Sequence, residues 1–273
     1  MKDPKIRKLF AQAGMGGIVL SIMLFALFYP GCMVDEKCYS NADCNDSKIC
    51  DSTGECVYEC VIDSDCGPAF VCDDHRCHLG SSSNEPIDCP EEMVSVENAY
   101  CIDRYEASRL DATATDEGEQ DAMAQSIEGV LPWQEDDNGK TQDACEAAGK
   151  SLCTPAQWEL ACHGPDDTVY AYGDEYDEVI CNGIKSYHPD VWHVAPTGAF
   201  PECTNKYGVF DMNGNVWEHT YQGSGSTVRG GAYNCMDSRT YHRCDYIPNT
   251  WNPKALGFRC CLIPDMEDQE GES

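Results

Sequence analysis

Cys235 and Cys244, both in the stretch RGGAYNCMDSRTYHRC, are the residues whose type and setting could do chemistry. A thiolate at Cys235 would be a nucleophile or a soft metal ligand, and in an oxidising compartment the same sulfur would be half of a cystine. Twenty cysteines in 273 residues point to export, because the cytosol would hold most of them as unproductive thiols. Other reactive patterns are missing. Glu218 and His219 lack the HExxH spacing of a zinc protease. His188 and His193 stand in a proline-containing loop that suits solvated or packed roles better than metal ligation. There is no glycine-rich phosphate loop and no nucleophile elbow around any serine. A formal net charge of −30 argues against nucleic acid as a partner, since phosphate binding needs a positive footprint. The same excess of carboxylates could serve divalent cations.

The elements that must position these residues follow a clear order. Residues 1–31 carry Lys2, Lys5, Arg7 and Lys8 ahead of an apolar run, an export signal. The run ends at YPGC, where Cys32 resembles the acylated first residue of a bacterial lipoprotein; the alternative is an uncleaved anchor over residues 9–29. Either way the membrane is a partner through the N-terminus, and the chain belongs in a bacterial cell envelope. Residues 32–78 hold an internal repeat: Cys38, Cys44, Cys50 and Cys56, then Cys60, Cys66, Cys72 and Cys77. Each unit has too few large apolar residues for a core, so disulfides must hold it, and each allows three pairings. Residues 79–88 read as a linker, 89–263 as the main domain and 264–273 as a disordered acidic tail. Within the main domain TQDACEAAGK predicts a helix stopped by Gly149. TPAQWELACHG predicts a second, with Thr154 as N-cap, Pro155 at the first helical position, Gln157 closing a capping box and Gly164 at the end. Turn residues recur every few positions elsewhere, which predicts an α+β fold dominated by long ordered loops.

Five segments in order, MVSVENAYCIDRYEAS, ACEAAGKSLCTPAQWELACHG, GVFDMNGNVWE, VRGGAYNC and GFRCC, resemble the formylglycine-generating (sulfatase-modifying factor) family. That resemblance implies a C-type-lectin-like fold. Active members of the family oxidise a client cysteine with oxygen and copper(I) held by two thiolates. It places Cys235 at the first copper position and Trp217 in the catalytic pocket, as candidate catalytic residues. The second thiolate position falls on Thr240, a hard neutral donor that cannot hold copper(I). The family's pocket serine and asparagine fall on Ala232 and Ala255. The resemblance further implies disulfides Cys145–Cys260 and Cys162–Cys244. It also implies one calcium site from Asp211, Gly214, Val216 and Glu218, and a second from Asn182, Gly183, Asp190 and Trp192.

If Cys32 is acylated, the main domain retains eleven cysteines, an odd number, so one is free or bonded outside the domain. Cys235 is the candidate for that odd thiol, and a disulfide to Cys89, Cys101, Cys153, Cys181, Cys203 or Cys261 is the alternative. Two functions stay open. One is a non-catalytic, calcium-stabilised surface module binding a protein, peptide or glycan. The other is a divergent oxidase using Cys235.

Overall fold

The computed structural model describes residues 38, 44, 48–50, 54–80, 86–185, 193–222, 225–248 and 253–264. The signal or anchor, Cys32, Asp190, Trp192, His188 and all but the first residue of the tail lie outside the described residues. In the first repeat β1 (Ile49–Cys50) and β2 (Cys56–Val57) pair antiparallel. In the second, β3 (Phe70–Asp73) and β4 (Arg76–Leu79) form a hairpin. The disulfides Cys60–Cys72 and Cys66–Cys77 join alternate cysteines of that unit, and Cys44–Cys56 repeats the second of these links in the first unit. This settles which of the three pairings the second repeat uses.

Four strands follow: β5 (Met93–Val96), β6 (Tyr100–Asp103), β7 (Ala107–Ser108) and β8 (Gln125–Ser126). Helix α1 (Asn138–Ala147) starts on the Asp137 cap, and the chain leaves it through Gly149 at φ 71°. After β9 (Ser151–Leu152) comes α2 (Pro155–His163), whose Thr154–Gln157 capping box forms as the sequence predicts. Then come β10 (Trp217–Gln222), β11 (Gly225–Arg229), the short helix α3 (Ser238–Tyr241), β12 (Leu256–Phe258) and β13 (Cys260–Leu262).

The last strand is threaded into the main sheet, ordered β5-β6-β13-β9, between β6 and β9. Successive residues of a strand face opposite sides, and the adjacent Cys260 and Cys261 use this directly. Cys260 bonds Cys145 of α1 within one core, with Trp133, Leu152 and Phe258. Cys261 bonds Cys153 in the other, with Tyr100, Ile102, Trp158 and Met212. The second sheet, β11-β10-β12, stands beside the first and carries Trp217 and Glu218 at the start of β10.

The second repeat is built into the main domain. Cys60, Cys66 and Phe70 are buried in the same cluster as Val94, Val96, Tyr100 and Trp158. The Phe70 and Tyr100 rings lie 6.2 Å apart, and Tyr100 anchors the contact by donating its hydroxyl to the Gln157 carbonyl at 2.6 Å. Gly67 is required at this joint: it sits at φ 79°, and a Cβ there would come within 2.7 Å of Thr154 Cγ2. Truncating Phe70 to alanine is expected to cost about 3 kcal/mol, read as a lower urea midpoint.

Candidate functional site

Four positions from three separate segments come together at one buried cluster. Trp217, Ala232, Cys235 and Ala255 pack with Val228, Tyr241, Tyr246 and Leu256, and every one of them is essentially inaccessible. Gly230 and Gly231 shape the approach, both at positive φ, where a Cβ on Gly231 would strike His242 Cδ2 at 2.4 Å. His242 supports this turn through Nε2, 3.3 Å from the Ala232 carbonyl, and burial lowers its pKa to about 4, so it stays neutral and donates. The Trp217 indole N–H makes no hydrogen bond.

Cys235 is the domain's odd cysteine, as expected, and what is corrected is the free-thiol form of that expectation, together with the alternative of a disulfide to Cys89, Cys101, Cys153, Cys181, Cys203 or Cys261. The Cys235 sulfur is disulfide-bonded, and no described cysteine is free. The partner is none of the other ten main-domain cysteines, because these pair among themselves as Cys89–Cys101, Cys145–Cys260, Cys153–Cys261, Cys162–Cys244 and Cys181–Cys203. Cys235 is thus the domain's eleventh cysteine, and it bonds outside that set. Two of the five pairs are those that the resemblance implies. Thr240 is turned away from a metal role: its hydroxyl donates to Asp237 Oδ2 at 2.8 Å, within the cap of α3. A pair of facing thiolates for copper(I) does not exist at this cluster, so copper does not fit.

A polar centre is built from the segment that leads into Trp217. The segment from Asp211 to Glu218 curls because Asp211, Gly214 and Asn215 all adopt positive φ, a conformation that Asp, Asn and Gly tolerate best. Gly198 N–H donates to Asp211 Oδ2 at 2.6 Å. The Asn215 amide donates to Glu106 Oε2 at 2.6 Å and accepts from Ala195 N and Asn182 Nδ2, so the loop of Asn182 and Gly183 is tied directly to this one. Gly183 packs against the His242 ring. Glu218 is gripped by Arg259: Nε donates to Oε2 and Nη2 to Oε1, each at 2.6 Å, while Trp158 Nε1 also donates to Oε2 at 2.6 Å.

Three buried carboxylates, Glu106, Asp211 and Glu218, therefore share one buried guanidinium. Burial pushes Asp211 up to about 7, with Glu218 adding repulsion, and raises Glu106 well above the usual carboxylate range, with Asp211 and Glu218 adding to it. The excess of buried carboxylates over positive charge is a feature that a hard divalent cation would offset. Asp211 keeps acceptor capacity for one. A carboxylate offers four lone-pair directions, so Glu218 retains one on Oε1 beyond its three hydrogen bonds. Sequence reasoning gave no role to Glu106 and Arg259, although both lie inside segments that carry the family resemblance, MVSVENAYCIDRYEAS and GFRCC.

The family model for the sulfatase-modifying factor enzyme 1-like domain matches residues 75–263. Among curated proteins, the chain is 32% identical over 136 residues to the inactive C-alpha-formylglycine-generating enzyme 2 of Mus musculus, covering 42% of this chain and 44% of that protein. It is 29% identical over 155 residues to the formylglycine-generating enzyme of Mus musculus, covering 42% and 40%. It thus spans less than half the length of either relative. The solved structure of CarF aligns with a TM-score of 0.41 at 14% identity, covering 61% of this chain and 87% of that one.

Proposed function

Because the chain belongs to the sulfatase-modifying factor family, we propose that it uses that family's C-type-lectin-like fold as an exported, surface-tethered, calcium-stabilised binding module whose oxidase site is degenerate. The observation that carries this reading is the chemistry around Cys235: a sulfur already in a disulfide, with Thr240 committed to a helix cap and alanines at 232 and 255. Copper oxidase chemistry needs two thiolates at that point. A relative named as inactive supports the same reading. The ligand is a protein, peptide or glycan.

The test is direct. The full chain, supplied with copper(I), oxygen and a cysteine-bearing sulfatase peptide, is expected to form no aldehyde above a protein-free blank by mass spectrometry. Aldehyde formation that Cys235→Ser abolishes would replace this reading with the divergent oxidase.

Calcium, in this proposal, is held by Asp211, Glu218 and the carbonyls of Gly214 and Val216, and it supplies the positive charge that the carboxylates lack. Asn182 and Gly183 contribute to a second, adjoining site with Asp190 and Trp192. Asp211's folded pKa stands above its unfolded value, so in chelated protein its stabilising contribution is full at low pH and is lost as pH rises through about 7. Calcium at a hundred times its dissociation constant should therefore raise the melting temperature at pH 8 by the equivalent of about 2.7 kcal/mol, and by less at pH 5. A melting temperature indifferent to calcium at pH 8 would remove the metal from the proposal.

A further inference from the structure

A cavity of about 330 Å³ opens at the C-terminal end of α2, and none of its lining residues belongs to the Cys235 cluster. Its walls include His163, Pro165, Asp166, Tyr172, Asn205 and Lys206. The frame is rigid. The Cys162–Cys244 disulfide lies beneath it, Cys244 N–H donates to the Val169 carbonyl, and Asn205 Nδ2 donates to the Ala161 carbonyl at 2.6 Å. Gly164 closes α2 at φ 67°, with space for a Cβ already occupied by Asn205. The Tyr172 ring is stacked on Tyr170, centroids 5.4 Å apart and nearly parallel, and its hydroxyl accepts from Asp177 N–H at 3.3 Å. The cavity also touches the loop from Asp211 to Glu218, since Ala171 N–H donates to Asn213 Oδ1 at 2.7 Å.

The charges at the mouth narrow the ligand. Lys206 Nζ lies 2.5 Å from Asp166 Oδ2, so both charges are present and each is already compensated. An anion would face a formal net charge of −30 and a lysine that is already paired. A cation would find the carboxylates here already engaged, Asp166 by Lys206 and Glu159 and Asp167 by His163. A wholly apolar ligand would strip water from the ion pair without replacing its hydrogen bonds. A hydroxylated ring avoids each cost. Its C–H face lies on Tyr172 and Pro165, while its hydroxyls donate to Asp166 and accept from Lys206. The volume is at the lower end of small-molecule sites and holds a single ring with part of a second.

We propose that this cavity is a binding site for a neutral sugar ring, stacked on Tyr172 and held by the Asp166–Lys206 pair. The proposal deepens the binding-module reading and rests on it only for the idea that the chain binds rather than catalyses. The experiment is saturation-transfer NMR on the full chain with methyl glycosides of glucose, galactose, mannose and N-acetylglucosamine. Saturation of ring protons by at least one glycoside is expected, with affinity falling about tenfold in Tyr172→Ala, the equivalent of 1.4 kcal/mol. Asp166→Ala and Lys206→Ala, both at exposed side chains, should weaken binding with an unchanged melting temperature. They carry the test if Tyr172→Ala fails to fold. No transfer to any glycoside at 10 mM (an order-of-magnitude ceiling for a specific site), or binding that ignores these three substitutions, overturns the proposal and leaves the binding-module reading standing. Aldehyde formation in the oxidase assay would sink that reading, whereas the glycoside result decides this one, so the two failures are distinguishable.

Discussion

Arg259→Met is expected to cost about 3–5 kcal/mol, the range for removing one partner of a buried ion pair. Arg259 is fully buried and is the shared counter-charge for Glu218, Asp211 and Glu106, besides donating to the Asp103 and Phe210 carbonyls. Methionine fills similar volume, so the loss reports charge more than packing. It should be larger at pH 8 than at pH 5, because Asp211 ionises near pH 7 and below that the carboxylates can shed charge by protonation. Urea denaturation in chelator at both pH values measures this. The double variant with Glu218→Leu should recover part of the loss, since removing both partners of a buried pair costs less than orphaning one. A loss below about 1 kcal/mol at pH 8 would mean that the cluster does not depend on this guanidinium.

Removing the Cys145–Cys260 bridge by paired alanine substitution should be comparably severe. The bridge spans 115 residues and fastens α1 to the threaded strand β13. In the chain-entropy picture such a loop contributes up to about 5 kcal/mol, and opening the Cys89–Cys101 loop of 12 residues should cost about 2 kcal/mol less. For a domain of this size that places the melting temperature of the Cys145–Cys260 variant lower by about 10 °C. Equal losses from the two bridges would show that local strain and packing, rather than loop closure, set their contributions.

Much of this was legible in the sequence because its signals are local. The capping box of Thr154 and Gln157 involves residues three apart, and it forms as read. The repeat of cysteines is a one-dimensional pattern, as are the five ordered segments that identify the family. Parity of the cysteine count is arithmetic, and it correctly marks one main-domain cysteine as having no partner within the domain. The acidic character of the Asp211 to Glu218 loop is likewise read directly.

Composition marked, then, a disulfide-rich, loop-dominated chain, and the resemblance carried by five ordered segments marked the sulfatase-modifying factor family, with Thr240 at the second copper position. Only the tertiary structure decided which cysteine is the odd one. It also decided that Cys235 carries a disulfide, that the second repeat shares the main core through Phe70, and that Arg259 reaches Glu218. The reason is physical. Arg259 reaches Glu218 across 41 positions and Phe70 reaches Tyr100 from the second repeat, beyond the range of any local pattern. A linear pattern fixes which residues want a partner, and the folded chain brings the partner within reach.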